Sequence, residues 1–323
     1  DTEDTTQEDS YYDEICHAKV MFGRGKFAGE MGVDEMKATV HWSKKKLNDM
    51  VPRDWRALKE EFQIHTHGKN ISNPLRGWAD INLPEKLMKG INMARYDIPT
   101  PIQRQCVPLG LDGRDMMGIA ATGSGKTAAF ILPILQMLNN KQPEKKFRKV
   151  RTLILVPTRE LAIQIGENIN FYGKYVAFKK VIIYGGVSQN PQVNSLKKGV
   201  DIIVATPGRL LDLIKQGYCN LNNIQHLVLD ESDRMLDMGF IKDIKKITGQ
   251  LPLHRQTLLF TATMPDDVAK LANKLLNNPE NISIESTGDK FISQSGSKIT
   301  IDGVETSSVD LNVKNLYSSD VVR

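Results

Sequence analysis

The sequence has few cysteines and no long apolar run, and both absences narrow what the chain can be. Its three cysteines, Cys16, Cys106 and Cys219, lie far apart and form no C-x-x-C pair. We therefore expect a reduced, intracellular protein without a disulfide framework. No stretch of about 18 apolar residues occurs, and the N-terminus lacks the charged-then-apolar pattern of a signal peptide, so we expect no membrane segment.

Lysine and arginine are missing from residues 1–14, which carry seven carboxylates. The whole chain has a net charge of +5, so the remaining residues carry +12. A basic body of this kind suits a polyanionic partner such as a nucleic acid. Residues 1–40 also contain few large apolar side chains, so we predict a disordered acidic arm there.

Residues 41–75 are predicted to form a helical flanking segment, with short helices that begin near Ser43 and Pro52. The two tryptophans of this segment, Trp42 and Trp55, allow two interpretations. They either pack the segment onto the following domain or dock a partner.

A glycine-rich turn follows the apolar run 116–119 and leads into a helical stretch. This order is typical of a phosphate-binding loop, in which backbone N–H groups and the helix N-terminus surround an anion. Lys126 is predicted to reach the β- and γ-phosphates and Thr127 to bind Mg²⁺, although Ala120 replaces the usual first glycine. The predicted nucleotide contacts in this loop are Ala121, Thr122, Gly123, Ser124, Gly125, Lys126 and Thr127.

Gln103 lies in a proline-rich turn upstream of this loop. A carboxamide can bond N6 and N7 of adenine at once, whereas guanine presents two acceptors at those positions, so a fixed glutamine favours ATP over GTP. Tyr96 is predicted to stack on the base, with Trp78 supporting that wall.

Apolar runs of strand length alternate with helical patterns in the rest of the chain. Strands that are apolar on both faces and alternate with helices predict an α/β fold, with a parallel sheet covered by helices on both faces. In such sheets, ligands bind at the carboxyl ends of the strands. The runs cover residues 152–156, 181–184, 201–205, 226–229 and 257–260.

Asp230 and Glu231 follow one of these runs directly. Asp230 is predicted to hold Mg²⁺ through its water shell, and Glu231 to orient and deprotonate the water that attacks the nucleotide. An acidic loop at a strand end is common by itself. The phosphate loop upstream favours the catalytic interpretation, with Lys126, Asp230 and Glu231 as the catalytic set.

Three further strand ends suit the phosphates of a nucleic-acid backbone. Free N–H groups at helix starts, each with an arginine nearby, form sites for backbone phosphates and do not read bases, so binding should be largely independent of sequence. Asp233, Thr261 and Thr263 are predicted to link the nucleotide site to this surface. The residues predicted to contact the phosphates of RNA are Pro157, Thr158, Arg159, Gly185, Gly186, Thr206, Gly208 and Arg209.

Seven of these segments, taken in order, resemble the motifs of the first RecA-like domain of DEAD-box RNA helicases. The resemblance covers residues 76–285 and accounts for Ala120, because the family's loop begins A-x-T-G. It implies a RecA-like P-loop fold, ATP and Mg²⁺ as cofactors and RNA as partner. The segments are residues 96–103, 120–127, 157–162, 185–186, 206–210, 230–233 and 261–263.

The sequence departs from the family pattern at three places. The tetrad at residues 230–233 reads D-E-S-D, Arg95 replaces the usual glycine before Tyr96, and the motif at residues 261–263 reads T-A-T instead of S-A-T. Ser232 leaves the three carboxylates of the tetrad in place, and Thr261 keeps the hydroxyl of the usual serine. We therefore expect the ATP chemistry to tolerate both replacements.

Flanking segments are similar to those of the family's splicing members, which drive exchange of small nuclear RNAs at the 5′ splice site. This likeness implies a nuclear protein that binds spliceosomal RNA and spliceosomal proteins. The segments are residues 41–43, 53–56, 73–74 with Trp78, and 261–265.

Residues 286–323 are too few for a second RecA-like domain and are predicted to form a hairpin across Asp302 and Gly303. The resemblance implies that such a domain, with an arginine finger, completes the ATP site, yet the sequence contains no H-R-x-G-R pattern. Losing an arginine finger costs about 10³–10⁵ in turnover. We therefore expect the chain alone to bind ATP weakly and hydrolyse it barely.

Two other functions stay open. The first is a non-catalytic assembly factor that docks on a ribonucleoprotein; the catalytic set Lys126, Asp230 and Glu231 argues against it, and the missing second domain argues for it. The second is a DNA-directed P-loop ATPase, which Gln103 and the order of the motifs disfavour.

Overall fold

The structure of the chain is a computed structural model that describes residues 40–69, 71–94, 97–140 and 148–284, together with the backbone of residues 299–301 and 304–306. Residues 1–39 of the predicted acidic arm, together with Arg95 and Tyr96, therefore lie outside the described residues.

The chain divides into a unit that ends at Met50 and a second unit that begins at Val51. In the described part of the first unit, two 3₁₀ helices cover Trp42–Lys44 and Leu47–Asp49. His41 caps the first of them, because its ring nitrogen accepts a hydrogen bond from the Ser43 N–H.

The second unit alternates strands and helices, as the sequence predicts. Its strands are β1 (Ile64–His67), β2 (Met116–Ile119), β3 (Thr152–Leu155), β4 (Lys180–Ile183), β5 (Ile202–Ala205), β6 (His226–Leu229), β7 (Gln256–Thr261), β8 (Glu280–Ile284), β9 (Ile299–Ile301) and β10 (Val304–Thr306). Its helices are α1 (Pro52–Glu61), α2 (Glu85–Met93), α3 (Pro101–Leu111), α4 (Lys126–Asn140), α5 (Arg159–Tyr172), α6 (Asn190–Lys197), α7 (Pro207–Lys215), α8 (Ser232–Asp237), α9 (Ile241–Thr248) and α10 (Asp266–Leu275), and a 3₁₀ helix covers Trp78–Asp80.

Eight strands form one sheet in the order β1-β8-β2-β7-β6-β3-β5-β4. All neighbours from β8 to β4 are parallel, whereas β1 is antiparallel to β8. Every residue of β3, β5 and β7 is buried, because helices cover both faces of the sheet. The predicted α/β fold with a parallel sheet is confirmed.

Successive residues of β7 support the two faces of the sheet. On one face, Phe260 packs against Phe130 of α4 with ring centroids 5.5 Å apart. Gly118 of β2 leaves room for this ring, since a Cβ there would lie 2.7 Å from it. On the other face, Leu259 joins a buried cluster with aliphatic side chains of α7, α9 and α10. Each such large apolar side chain contributes about 1.5–3 kcal/mol by its burial.

Strand β1 departs from the helical segment that the sequence predicts over residues 41–75. It pairs along the edge of the sheet with Ile64 opposite Ile284. Its sequence, IHTH, has one buried and three less buried side chains, and a single strongly apolar residue does not make the apolar run that indicates a strand. A distant partner, β8, determines its conformation.

The predicted hairpin in the tail agrees with the backbone, in which β10 pairs antiparallel with β9 and Val304 lies opposite Ile301. In the ranges that the structure describes, no helix is long and apolar enough to cross a membrane. The same ranges hold no group of three or more His, Cys, Asp or Glu residues placed to bind a metal.

Candidate nucleotide and RNA site

Three loops with predicted functions leave the sheet at the same edge. Strands β2, β7 and β6 are neighbours, with Ile119 opposite Thr261 and Leu229 opposite Leu259. The loops after these strands therefore emerge side by side at the carboxyl end of the sheet, where parallel sheets bind ligands. A backbone hydrogen bond of 3.1 Å from the Ala120 N–H to the Thr261 carbonyl joins two of them.

The phosphate loop has a backbone that requires glycine at two positions. Gly123 and Gly125 have φ values of 82° and 92°, in the left-handed region that side chains disfavour. A Cβ at Gly125 would lie 2.5 Å from Gln103 Nε2 and 2.8 Å from Thr100 Oγ1, whereas nothing lies within 4 Å of a Cβ at Gly123. Ser124 Oγ is buried and has no hydrogen-bond partner among the described residues.

Lys126 begins helix α4 and is buried at the base of the loop. Its ammonium donates to the Ala120 carbonyl over 2.6 Å. Thr127, which follows it, is half-buried, and residues 121–123 are exposed. The loop thus combines an exposed backbone on its open side with a lysine at its base, an arrangement that suits an anion.

Asp230 is 3% exposed at the end of β6. Burial raises its pKa to about 6, and this rise persists although Lys126 and a hydrogen bond from the Glu231 N–H both lower the pKa. That hydrogen bond is 3.0 Å long. The buried carboxylate therefore lies within the electrostatic reach of Lys126, so the predicted metal ligand and the predicted phosphate ligand share one site.

Glu231 has a left-handed backbone, with φ 51° and ψ 52°, where it precedes helix α8. Such a conformation is uncommon for a residue with a side chain and is concentrated at functional sites. Its carboxylate forms a 2.8 Å ion pair with Arg234. Sequence reasoning missed Arg234, although its position three residues after Glu231 at a helix start was a usable signal.

Asp233 connects the acidic loop to the T-A-T loop. One carboxylate oxygen accepts hydrogen bonds from the N–H of Ala262 at 3.2 Å, the N–H of Thr263 at 2.8 Å and the hydroxyl of Thr263 at 2.8 Å. Burial raises the pKa of Asp233, but hydrogen bonds from Thr263, the Arg234 N–H and Thr261 outweigh that effect and hold the pKa below its usual value. Thr261 completes the loop by donating its hydroxyl to the Thr263 carbonyl over 2.7 Å.

Gln103 is buried and holds the phosphate loop against helix α3. Its Oε1 accepts from the Thr100 N–H at 3.0 Å, and its Nε2 donates to the Gly125 carbonyl at 3.1 Å. A carboxamide has two donors and two acceptor positions, so each group keeps one for another partner. The contact with adenine stays a prediction, and Tyr96 lies outside the described residues.

Trp78 is buried, and its indole N–H has no partner among the described residues. Its segment is held by Arg104, whose guanidinium donates to the Leu75 carbonyl at 2.8 Å and lies 3.8 Å from the ring centroid of Phe62. Trp78 is thus fixed next to α3 as part of the core, and its role in the wall of an adenine site stays a prediction.

The predicted RNA contacts lie at the ends of β3, β5 and β4, which are neighbours. Two arginines hold the glycine turn after β4 from its two ends: the Arg159 guanidinium lies 4.9 Å from the Tyr184 ring, and Arg209 donates to the Val187 carbonyl at 3.0 Å. Gly186, between them, has φ 79°.

Helix α5 begins beside this turn. The Thr158 hydroxyl caps the helix by accepting from the Leu161 N–H at 3.3 Å. Pro157 is buried, whereas Thr206 and Gly208 at the start of α7 are half-buried. The eight predicted contacts therefore share the edge of the sheet that carries the phosphate loop.

Comparison with known proteins agrees with this geometry. A sequence profile of the DEAD/DEAH box helicase family matches residues 100–271. The chain is 41% identical over 278 residues to "Probable ATP-dependent RNA helicase DDX23" of Homo sapiens, an alignment that covers 77% of the chain and 34% of that protein. It is 41% identical over 286 residues to "Pre-mRNA-splicing ATP-dependent RNA helicase PRP28" of Debaryomyces hansenii, over 80% of the chain and 49% of that protein.

Two solved structures share the fold. A crystal structure of the yeast DEAD-box splicing factor Prp28 aligns with a TM-score of 0.72 and 38% identity, over 76% of this chain and 59% of that one. The RNA-helicase Prp28 from Chaetomium thermophilum bound to ADP aligns with a TM-score of 0.70 and 44% identity, over 76% of this chain and 60% of that one. The chain spans between a third and a half of the length of the two curated relatives.

Proposed function

Because the chain belongs to the DEAD/DEAH box helicase family, we propose that it binds ATP and RNA and couples ATP hydrolysis to the remodelling of short RNA duplexes or ribonucleoproteins. The observation that carries this proposal is the contact of the Asp233 carboxylate with the N–H and hydroxyl of Thr263. It joins the acidic loop after β6 to the loop after β7, so a change in the acidic loop beside the nucleotide would act directly on its neighbour, as the first step of such a coupling.

The residues at the phosphate loop fit a nucleotide with Mg²⁺. A buried carboxylate and a hydroxyl, from Asp230 and Thr127, are oxygen ligands of the kind that Mg²⁺ prefers, and the unpartnered Ser124 Oγ is available to a phosphate oxygen. Lys126 would exchange the Ala120 carbonyl for phosphate oxygens. The metal ion, when bound, neutralises charge on the β- and γ-phosphates.

Glu231 would act on the attacking water. Its strained backbone directs the side chain from the end of β6, and the ion pair with Arg234 orients the carboxylate. A carboxylate within hydrogen-bond reach of a water can orient it and accept its proton. Gln103 would select adenine with the donor and acceptor positions that its contacts with Thr100 and Gly125 leave free.

RNA would bind through its backbone along the ends of β3, β5 and β4. Free N–H groups at the starts of α5 and α7, with Arg159 and Arg209, bind phosphates and leave the bases unread. Turnover would require a second RecA-like domain that adds an arginine finger to the ATP site. Such an arginine contributes about 10³–10⁵ to turnover where it is used.

A role in pre-mRNA splicing, at the exchange of small nuclear RNAs at the 5′ splice site, is our proposal for the cellular function. It is supported by the relatives named as splicing helicases. It places the protein in the nucleus with spliceosomal proteins as partners. The second candidate is an assembly factor that docks on a ribonucleoprotein without turnover.

Equilibrium binding of ATP and of single-stranded RNA tests the proposal. Lys126→Ala should weaken ATP binding at least about tenfold, because a charge-assisted contact is worth roughly 1.5–3 kcal/mol, and should leave RNA binding within about twofold. The pair Arg159→Ala and Arg209→Ala should do the reverse. A wild-type chain that binds neither ligand would contradict the proposal, and equal binding of single-stranded DNA and RNA would favour the DNA-directed ATPase.

A further inference from the structure

The last turn of α5 and the turn that follows it carry exposed aromatic rings, at the opposite end of this helix from the predicted RNA contact Arg159. Phe171 and Tyr175 are 39% and 42% exposed, and Met93, beside them, is 44% exposed. The Tyr175 hydroxyl lies 3.4 Å from the Met93 sulfur. Tyr175 and Met93 therefore form an exposed apolar pair, and Phe171, four residues before Tyr175 in the chain, exposes a second ring.

A cavity of about 620 Å³ lies beside the same segment, because its lining includes Asn170 and Lys174, the chain neighbours of Phe171 and Tyr175. Four lysines line it, namely Lys174, Lys179, Lys180 and Lys198, and none of its described lining residues is acidic. Lys174 links the cavity to Tyr175, because its ammonium lies 5.7 Å from the Tyr175 ring centroid. We call the two rings and the four lysines the basic-aromatic surface.

This surface lies at the amino end of the sheet. Lys180 is the first residue of β4, and the cavity-lining Gly199 and Val200 precede β5. Helix α5 connects the two ends of the molecule, since it begins at Arg159 and ends at Tyr172. Fourteen helical residues span about 20 Å. The basic-aromatic surface is therefore separate from the RNA contacts at the strand ends.

The fold neutralises the positive charge here only in part. The nearby Asp201 is already occupied by Arg148, by Arg151 and by the Lys179 N–H. Lys180 is half-buried, and burial lowers its pKa more than the charge of Glu167 raises it. An anion in the cavity would compensate this burial.

Helix stability explains part of the pattern. Lys174 and Lys198 follow the last turns of α5 and α6, where a cation near the end of the helix dipole is stabilising. This explanation does not extend to Lys179 and Lys180, which lie at the start of a strand, or to the exposed Phe171 and Tyr175. Residues 171–180 interleave lysines with exposed rings along the chain. Lysines beside exposed rings are the pattern of single-strand nucleic-acid binding, in which phosphates contact the lysines and bases stack on the rings.

We propose that the basic-aromatic surface binds a second stretch of single-stranded RNA, beyond the segment held at the strand ends. The proposal rests on the proposed function, because it concerns RNA that the same chain already holds. An acidic protein segment would also pair with the lysines, and a peptide arm of the experiment distinguishes it from RNA. RNA uses both the lysines and the exposed rings.

Binding of RNAs of two lengths by the full 323-residue chain tests the proposal. An oligonucleotide of about 6 nucleotides fits a single site, whereas one of about 20 can occupy two, given site sizes of roughly 4–16 nucleotides. Lys179→Glu with Lys198→Glu should weaken the longer RNA at least about tenfold and the shorter one less than about twofold. The slope of the salt dependence for the longer RNA should fall by about 1.4, which is roughly 0.7 for each phosphate that the two lysines neutralise.

Lys242→Glu with Lys246→Glu is the matched control, because these exposed lysines of α9 do not line the cavity and the change in charge is the same. Phe171→Ala with Tyr175→Ala tests the rings without altering charge, and it should also weaken only the longer RNA. Thiouridine-containing long RNA should crosslink to Phe171 or Tyr175.

Three results would overturn the inference. Equal losses of affinity in the test and control pairs would show a general effect of charge, and unchanged binding of the longer RNA would show no second site. A third result would identify a protein-docking surface: the wild-type chain binds a phosphate-free glutamate peptide, and Lys179→Glu with Lys198→Glu abolishes this binding but leaves RNA binding unchanged. Failure of the short RNA to bind the wild-type chain would instead count against the proposed function itself.

Discussion

Burial beside Lys126 sets the chemistry of Asp230, whose pKa is raised to about 6. Between pH 3.8 and 6, the folded state keeps a proton on this carboxyl that the unfolded state has lost. The contribution of Asp230 to stability is therefore complete below pH 3.8 and is lost as the pH rises through 6. This buried charge is a cost that the apo protein bears and that a bound cation would relieve.

Asp230→Asn should stabilise the apo chain at about pH 7.5 by about 1–3 kcal/mol, since each unit of pKa shift corresponds to about 1.4 kcal/mol. The gain should vanish at about pH 4, where the wild-type carboxyl is protonated in the folded state. Urea unfolding at the two pH values measures it. The exposed Asp237 of α8 provides the control, and an equal gain from Asp237→Asn would contradict the account.

Alanine substitutions at Gly125 and Gly123 distinguish the effect of backbone strain from the effect of a steric clash. Both glycines have a left-handed backbone, so alanine at either position should cost about 1–2 kcal/mol of stability. Gly125→Ala should in addition displace the Gln103 carboxamide, which lies 2.5 Å from the new Cβ. We expect it to weaken ATP binding at least about tenfold more than Gly123→Ala does. Titration with a fluorescent ATP analogue measures the difference, and equal losses of affinity would show that Gln103 does not position the loop.

At the scale of elements, the loops after β6 and β7 behave as one unit because Asp233 bonds to both residues 262 and 263. Thr263→Ala removes one charge-assisted hydrogen bond and should cost about 1–2 kcal/mol, whereas Thr263→Ser keeps the hydroxyl and should cost less than about 0.5 kcal/mol. Chemical unfolding of the two variants tests this. A serine variant as unstable as the alanine variant would assign the effect to the missing methyl group and not to the hydrogen bond.

The elements differ in how far their sequence predicts them. Strands β3 and β5 are predictable because their short apolar runs fit strands buried on both faces. Strand β1 is not, since its four residues are ordered by pairing with β8, which lies far along the chain. The candidate site shows the same difference. Gly125 and Lys126 are recognisable in the sequence as parts of a motif. The contacts of Gln103 with Gly125 and of Glu231 with Arg234 are not, because they depend on packing and on local backbone conformation.

At the scale of the molecule, one edge of the sheet collects the nucleotide loop, the acidic loop and the strand ends that are predicted to face RNA. Strand order explains this placement, because β2, β7, β6, β3, β5 and β4 are successive neighbours and present their carboxyl ends along a single line. The loops predicted to bind the nucleotide follow β2, β7 and β6, and those predicted to bind RNA follow β3, β5 and β4. The boundary lies between β6 and β3, and the Asp233–Thr263 contact is on its nucleotide side.

The steady-state ATPase rate, measured with and without single-stranded RNA, tests the central claim most directly. It should be measured for the chain alone and for the chain joined to a second RecA-like domain of a relative. We predict RNA-stimulated turnover only in the joined protein, higher than for the chain alone by about 10³ or more, and abolished by Lys126→Ala and by Glu231→Gln. Rapid turnover by the chain alone, or no turnover in the joined protein while ATP and RNA still bind, would contradict the account.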